Sequence, residues 1–328
     1  MTTLLMHEQS YERVKARMAG FPEDLDVLLL RVDGSLRPAA GHRDATQMKP
    51  DIAWFSIDLL RTGQVKPFVA LVLASDGIRW MQTFNAGLDA PYYKEIYEKG
   101  IRITKSDAQA VAIAEYVVGN VLALYQGIFK RQKHQAAHQW QRTTFREMWR
   151  TSWMIIGFGN IGREIAARIR GFGCGVIAVR QTAEDHPLAD SVITLKQVPE
   201  YLPQADVVVL ACALNRETMG LADQSFFSGM KEGSFFVNIA RGKLVDQQAL
   251  IDSLRAGRPA FAILDVFDPE PLPSDSPLWD MNNVMVTPHA SNAGSGLVAR
   301  GDELFLNNLR RYLAGEKLYD EVDARQIG

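Results

Sequence analysis

Three side chains with complementary chemistry stand in short loops of the second half of the chain: Arg241 in "NIARG", Glu270 in "DVFDPEPL" and His289 in "TPHAS". An arginine in a tight, small-residue turn can hold a carboxylate through a two-pronged hydrogen bond. A histidine can donate a proton near neutral pH, and a neighbouring carboxylate favours its imidazolium form. Each residue alone has a plain structural reading: a surface salt bridge, a stiff proline turn, a structural histidine. Beside a hydride source, the three together would reduce a carbonyl. The arginine would hold the substrate carboxylate and polarise the carbonyl, and the histidine would protonate the resulting oxygen.

A hydride source is indicated by Gly157-Phe158-Gly159-Asn160-Ile161-Gly162, preceded by the apolar run "WMIIG" and followed by the amphipathic "NIGREIAARIRGF". The first glycine permits a tight turn, the second lets a pyrophosphate approach the backbone, and the third lets the helix pack on the strand. Asn160 and Ile161 would then open a helix whose N-terminus faces the phosphates. The next strand, "GVIAV", ends in Arg180 instead of the Asp or Glu that accepts a hydrogen bond from the adenosine ribose. An arginine there attracts the extra ribose phosphate of NADP, and Gln181 and Thr182 can add neutral hydrogen bonds to it. NADP is therefore the expected cofactor, with NAD possible. The alternative is that Arg180 points to solvent or stacks on adenine.

These loops need a frame. Strand-like runs at "WMIIG", "VIAV", "DVVVLAC", "SFFVNI", "AFAILDV" and "NVMVT" alternate with amphipathic helices, which predicts an open parallel sheet with ligands at the carboxyl ends of its strands. In the first half, "DVLLLRV", "IAWFSI", "RWMQTF" and "IRIT" read as strands from residue 26 onward, and a long helical pattern runs from about Asp107 to Phe129. The basic stretch "KRQKHQAAHQWQRTTFREMWR" reads as a solvated arm or linker in preference to a nucleic-acid patch. Within it His134 and His138 lie one helical turn apart with no third ligand in view, so no metal is expected.

A chain of 328 residues exceeds the size at which one core usually stops growing, so two domains are expected. The formal net charge of -2 gives no reason to expect nucleic acid or an anionic membrane as partner. Two cysteines, and an N-terminus "MTTLLMHEQSYERVK" without the marks of a signal peptide, point to a reducing, cytoplasmic setting.

Over most of its length the sequence resembles the D-isomer-specific 2-hydroxyacid dehydrogenases. The resemblance rests on "GFGNIG", "NIARGKLVD", "DVFDPEPL", "TPHAS", "RWMQTFNAGLD" and "AIAEYVVGNVLAL". It implies an α/β protein of two doubly wound parallel-sheet domains, a Rossmann nucleotide-binding domain (residues 111–292) inserted into a flavodoxin-like substrate domain (1–110 and 293–328). "GSGLVARGDELFLNNLRRYLAG" would be the helix that returns to the substrate domain. The resemblance also implies Arg241, Glu270 and His289 as the catalytic set. Ile239, Ala240 and Asp265 would contact the cofactor, Asp265 at the nicotinamide carboxamide. Backbone around Asn85, Ala86 and Gly87 would grip the substrate carboxylate, and a homodimer would give segment 130–150 a role as an interface arm. Three departures from the family pattern, at Phe84-Asn85, "CALNRET" and "MWRTSW", leave the Arg–Glu–His set untouched. The expected activity is NADPH-linked reduction of a 2-ketoacid such as glyoxylate, hydroxypyruvate or a bulkier one. NAD-linked oxidation of a D-hydroxyacid, 3-phosphoglycerate included, and a dinucleotide-sensing protein with incidental turnover are the alternatives.

Overall fold

A computed structural model describes residues 2–21, 25–40 and 44–324. The chain divides into two compact units, Met1–Ala108 with Ser295–Gly328, and Gln109–Gly294.

The first unit carries strands β1 (Thr2–His7), β2 (Leu25–Leu30), β3 (Leu36–Pro38), β4 (Ile52–Phe55), β5 (Trp80–Thr83) and β6 (Arg102–Thr104), in the sheet order β3-β2-β1-β4-β5-β6. Apart from β3 this is the doubly wound order of flavodoxin-like domains. The edge strand β3 runs antiparallel to β2, so the sheet is mixed. β1 lies at its centre, paired along six residues with β2 and also with β4. Reading strands only from residue 26 onward misses it. "TTLLMH" is buried along nearly its whole length, so it lacks the polar alternation that marks a half-exposed strand. The helix Leu297–Leu313 returns to this unit and sets Phe305 flat against Trp54, with ring centroids 3.9 Å apart. Trp54 and Tyr93 are core residues here, both nearly or fully excluded from solvent.

The second unit carries β7 (Ser152–Ile156), β8 (Gly175–Val179), β9 (Ser191–Ile193), β10 (Val207–Leu210), β11 (Phe235–Asn238), β12 (Phe261–Leu264) and β13 (Val284–Val286). All seven are parallel in the order β13-β12-β11-β10-β7-β8-β9, the Rossmann arrangement with one added strand. β9 has only three residues and was not legible in the sequence. The long apolar pattern resolves into a helix Ala110–Tyr125 that packs on the helix Asn160–Arg170 and a separate helix Ile128–Ala136. Among the described residues no single helix is long and apolar enough to cross a membrane. Parallel strands place every strand-to-loop exit of this unit on one edge. The glycine turn, Arg180, Arg241, Asp265, Glu270 and His289 all lie on that edge.

Candidate active site

The glycine turn has the backbone demands its spacing implies. Gly157 sits at φ +100°, and a side chain there would place its Cβ 2.4 Å from the backbone nitrogen of Cys212. A Cβ on Gly162 would lie 2.5 Å from the carbonyl oxygen of Gly157, so only glycine lets the helix come this close to the turn. At Gly159, in contrast, nothing lies within 4 Å of where a Cβ would be. That open space faces the start of the helix Asn160–Arg170, where the first N–H groups have no acceptor within the helix. The turn therefore fits a dinucleotide pyrophosphate.

Arg180 follows β8 directly, half-buried, with its N–H bonded to the carbonyl of Ile193 at 3.0 Å, while Gln181 and Thr182 are exposed. Two further basic groups gather here that the sequence reading did not single out. His186 stands edge-on to Phe158 with ring centroids 5.1 Å apart, and its Nδ1 accepts the Leu188 N–H. Its pKa is lowered, by desolvation first and then by the positive charges of Arg163 and Arg180. The signal for Arg163 was its place immediately after the third glycine.

After β11 the chain turns through Ile239 and Ala240, both buried, to Arg241. The Asn238 side chain clamps this turn from within, accepting from the Ala240 N–H at 3.1 Å and donating to the Arg241 carbonyl at 3.0 Å. The Arg241 guanidinium donates from Nη1 to the Ala240 carbonyl at 2.7 Å. Gly242, the last residue of this turn, has a steric role of its own: a Cβ there would lie 2.0 Å from the carbonyl carbon of Phe267. Glycine at 242 is what lets the arginine turn sit directly on the backbone that leads to Glu270.

Glu270 and His289 are joined. Nδ1 of His289 lies 3.0 Å from Oε2 of Glu270, and the other carboxylate oxygen accepts the Phe267 N–H at 3.0 Å. A carboxylate accepts only, so Nδ1 carries a hydrogen and Nε2 is the ring nitrogen left to exchange a proton. His289 has a positive φ of 51°, and its backbone N–H is held by the Asp265 carbonyl at 2.8 Å.

Asp265, which the resemblance sets against the nicotinamide carboxamide, is 0% exposed. Its carboxylate accepts from the Thr287 hydroxyl at 2.6 Å, the Ala290 N–H at 2.8 Å and the Ser291 N–H at 2.9 Å. These bonds fix the loop that carries His289, so the role the structure supports for Asp265 is positioning.

In the first unit, Asn85, Ala86 and Gly87 follow β5 and are half-buried. Asn85 donates from its side chain to the Tyr93 hydroxyl at 2.6 Å, and its carbonyl accepts the Ser106 N–H at 2.9 Å.

Residues 118–291 match the family described as "D-isomer specific 2-hydroxyacid dehydrogenase, NAD binding domain". The glyoxylate reductase/hydroxypyruvate reductase of Homo sapiens is 31% identical over 258 residues, 76% of this chain and 78% of the relative. A D-isomer specific 2-hydroxyacid dehydrogenase family protein from Aeromonas salmonicida has a similar structure, with a TM-score of 0.77 at 28% identity over 98% of each chain. A D-isomer specific 2-hydroxyacid dehydrogenase from Xanthobacter autotrophicus, solved with NADPH and MES, gives 0.76 at 26% identity over 99% of this chain and 98% of that one. The chain belongs to the D-isomer specific 2-hydroxyacid dehydrogenase family. It is a NAD(P)-dependent oxidoreductase of the 2-ketoacid/2-hydroxyacid class.

Proposed function

We propose that the chain is a 2-ketoacid reductase that prefers NADPH and yields the D-2-hydroxyacid. The observation that carries this reading is the Glu270–His289 pair, which commits Nδ1 and leaves Nε2 as the proton donor. Residues 1–110 with 293–328 act as the substrate domain and 111–292 as the cofactor domain. Gly157, Gly159, Asn160, Ile161 and Gly162 hold the pyrophosphate, Arg180, Gln181 and Thr182 the ribose phosphate, and Ile239 and Ala240 line the cofactor. When bound, NADPH supplies the hydride. Arg241, with backbone at Asn85, Ala86 and Gly87, orients the substrate carboxylate, and the guanidinium polarises the carbonyl. His289 delivers its Nε2 proton to the oxygen as charge develops there. Glu270 holds the ring in the required tautomer by accepting from Nδ1.

The same reading makes the chain a cytoplasmic homodimer. Support for the dimer comes from segment 130–150, whose Trp140 is 101% exposed, with Phe145 and Trp149 also exposed.

Initial rates with a panel of 2-ketoacids, each with NADPH and NADH, test the proposal. In the same assay Arg180→Asp should lower the NADPH:NADH ratio of kcat/KM by about 10- to 100-fold, the value of a hydrogen bond to a charged group. An unchanged ratio would remove Arg180 from cofactor selection.

A further inference from the structure

At the carboxyl edge of the first unit's sheet, the chain leaves β1 toward one side and β4 toward the other. A crevice opens at such a point in doubly wound sheets. It holds a pocket of about 20 Å³, enough for one water-sized group, lined by Ser56, Ile57, Phe84 and Leu297 with the charged pair Arg13 and Asp302. Phe84 immediately precedes Asn85, so the pocket adjoins the backbone assigned to the substrate carboxylate.

The hydrogen bonds behind the pocket have a fixed direction. Ser10 Oγ donates to Oδ2 of Asp58 at 2.6 Å, which uses its one hydrogen. The Ser56 Oγ, 2.7 Å from Ser10 Oγ, must therefore donate to Ser10. Ser56 has spent its hydrogen and retains only lone pairs, so it can accept from a further hydroxyl but cannot donate to one. Ser10, Ser56 and Asp58 are all buried, where such chains polarise one another.

The charged pair is equally committed. Arg13 gives Nε and Nη2 to the two oxygens of Asp302 at 2.9 and 3.0 Å, and Nη1 to Asp58 at 2.6 Å. Burial works against the Arg13 charge, but its hydrogen bonds to Asp302 and Asp58 raise its pKa overall. One guanidinium is thus set against two carboxylates, and the fork that would read a phosphate or a distal carboxylate is already taken.

We infer that this pocket selects the substituent on the 2-ketoacid: small, uncharged and bearing a hydroxyl that donates to Ser56, as the hydroxymethyl group of hydroxypyruvate does. A phosphate or carboxylate at that position would meet lone pairs and net negative charge. The inference rests on the 2-ketoacid reductase reading and deepens it.

The test is kcat/KM for glyoxylate, pyruvate, hydroxypyruvate and 3-phosphohydroxypyruvate with NADPH, for the wild type, Ser56→Ala and Asp302→Asn. Wild type should favour hydroxypyruvate over its phosphate by about 100-fold, since like charges in juxtaposition cost several kcal/mol. Ser56→Ala should lower the hydroxypyruvate:pyruvate ratio about 10-fold, the value of one hydrogen bond. A ratio is the readout because the hydroxyl also activates its own carbonyl, equally in both proteins. Asp302→Asn should raise the ratio of phosphate to hydroxypyruvate about 10-fold by freeing the Arg13 fork. A Ser56→Ala protein that binds NADPH normally with the hydroxypyruvate:pyruvate ratio unchanged overturns the inference. So does a wild type that prefers the phosphate, a result that stands even if a variant fails to fold. Either outcome leaves the reductase reading in place. Failure to turn over any of the four overturns both.

Discussion

Asp265 and Glu270 leave the same strand five residues apart, and the protein uses them in opposite ways. At the base of the loop Asp265 is 0% exposed and its oxygens are occupied by three donors from the loop beyond β13. At the tip Glu270 has a side chain 37% exposed, with one oxygen on the Phe267 N–H and the other on His289. A buried carboxylate must have its lone pairs answered, and those answers fix backbone. An exposed one can keep an oxygen for a group that changes protonation. In the proposed mechanism the same chemical group is scaffold at 265 and part of the proton-transfer pair at 270, according to how much water reaches it.

The contrast can be broken by substitution. Asp265→Ala should cost about 3 kcal/mol or more in urea unfolding, because three buried donors lose their acceptor at once. Turnover should fall with it as the His289 loop loosens. Glu270→Gln should do the reverse, lowering kcat about 10- to 100-fold while stability changes by no more than about 0.5 kcal/mol. Equal destabilisation by the two substitutions would erase the distinction.

Asp206, just before β10, sharpens it further. Its carboxylate accepts from Arg146 at 2.6 Å, Lys231 at 2.7 Å and the Ser152 N–H at 2.8 Å. Burial pushes its pKa up, but these partners outweigh burial and hold it below the ordinary carboxylate value. The unfolded chain therefore takes up a proton first as pH falls. The stability from this group is complete above the ordinary carboxylate pKa, shrinks below it, and is lost below the depressed value. Asp206→Asn should cost about 1–2 kcal/mol at neutral pH and little in strong acid. A cost independent of pH would mean that charge is not what Asp206 contributes.

What the sequence made legible was local. "GFGNIG", "NIARG" and "TPHAS" each combine a backbone requirement with a chemical group within a few residues, so both are readable together. β9 was too short to read, and β1 too uniformly buried to show a pattern. The base of the site was also hidden: nothing near Asp265 marks it as the clamp of a loop more than twenty residues on. Long-range partners were least accessible of all. Arg13 and Asp302 are 289 positions apart, and only the return of the C-terminal helix brings them together. Ser10, Ser56 and Asp58 carry no motif, and the direction of their hydrogen bonds appears only once all three are placed.

In the proposed reaction His289 donates the proton through Nε2 while the cofactor is held elsewhere. Replacing His289 by Asn, then measuring NADPH binding and single-turnover reduction on the same protein, tests this. NADPH affinity should stay close to wild type and the reduction rate should fall by about 100-fold or more, the usual contribution of a general acid. Reduction at a near wild-type rate with NADPH bound would contradict it.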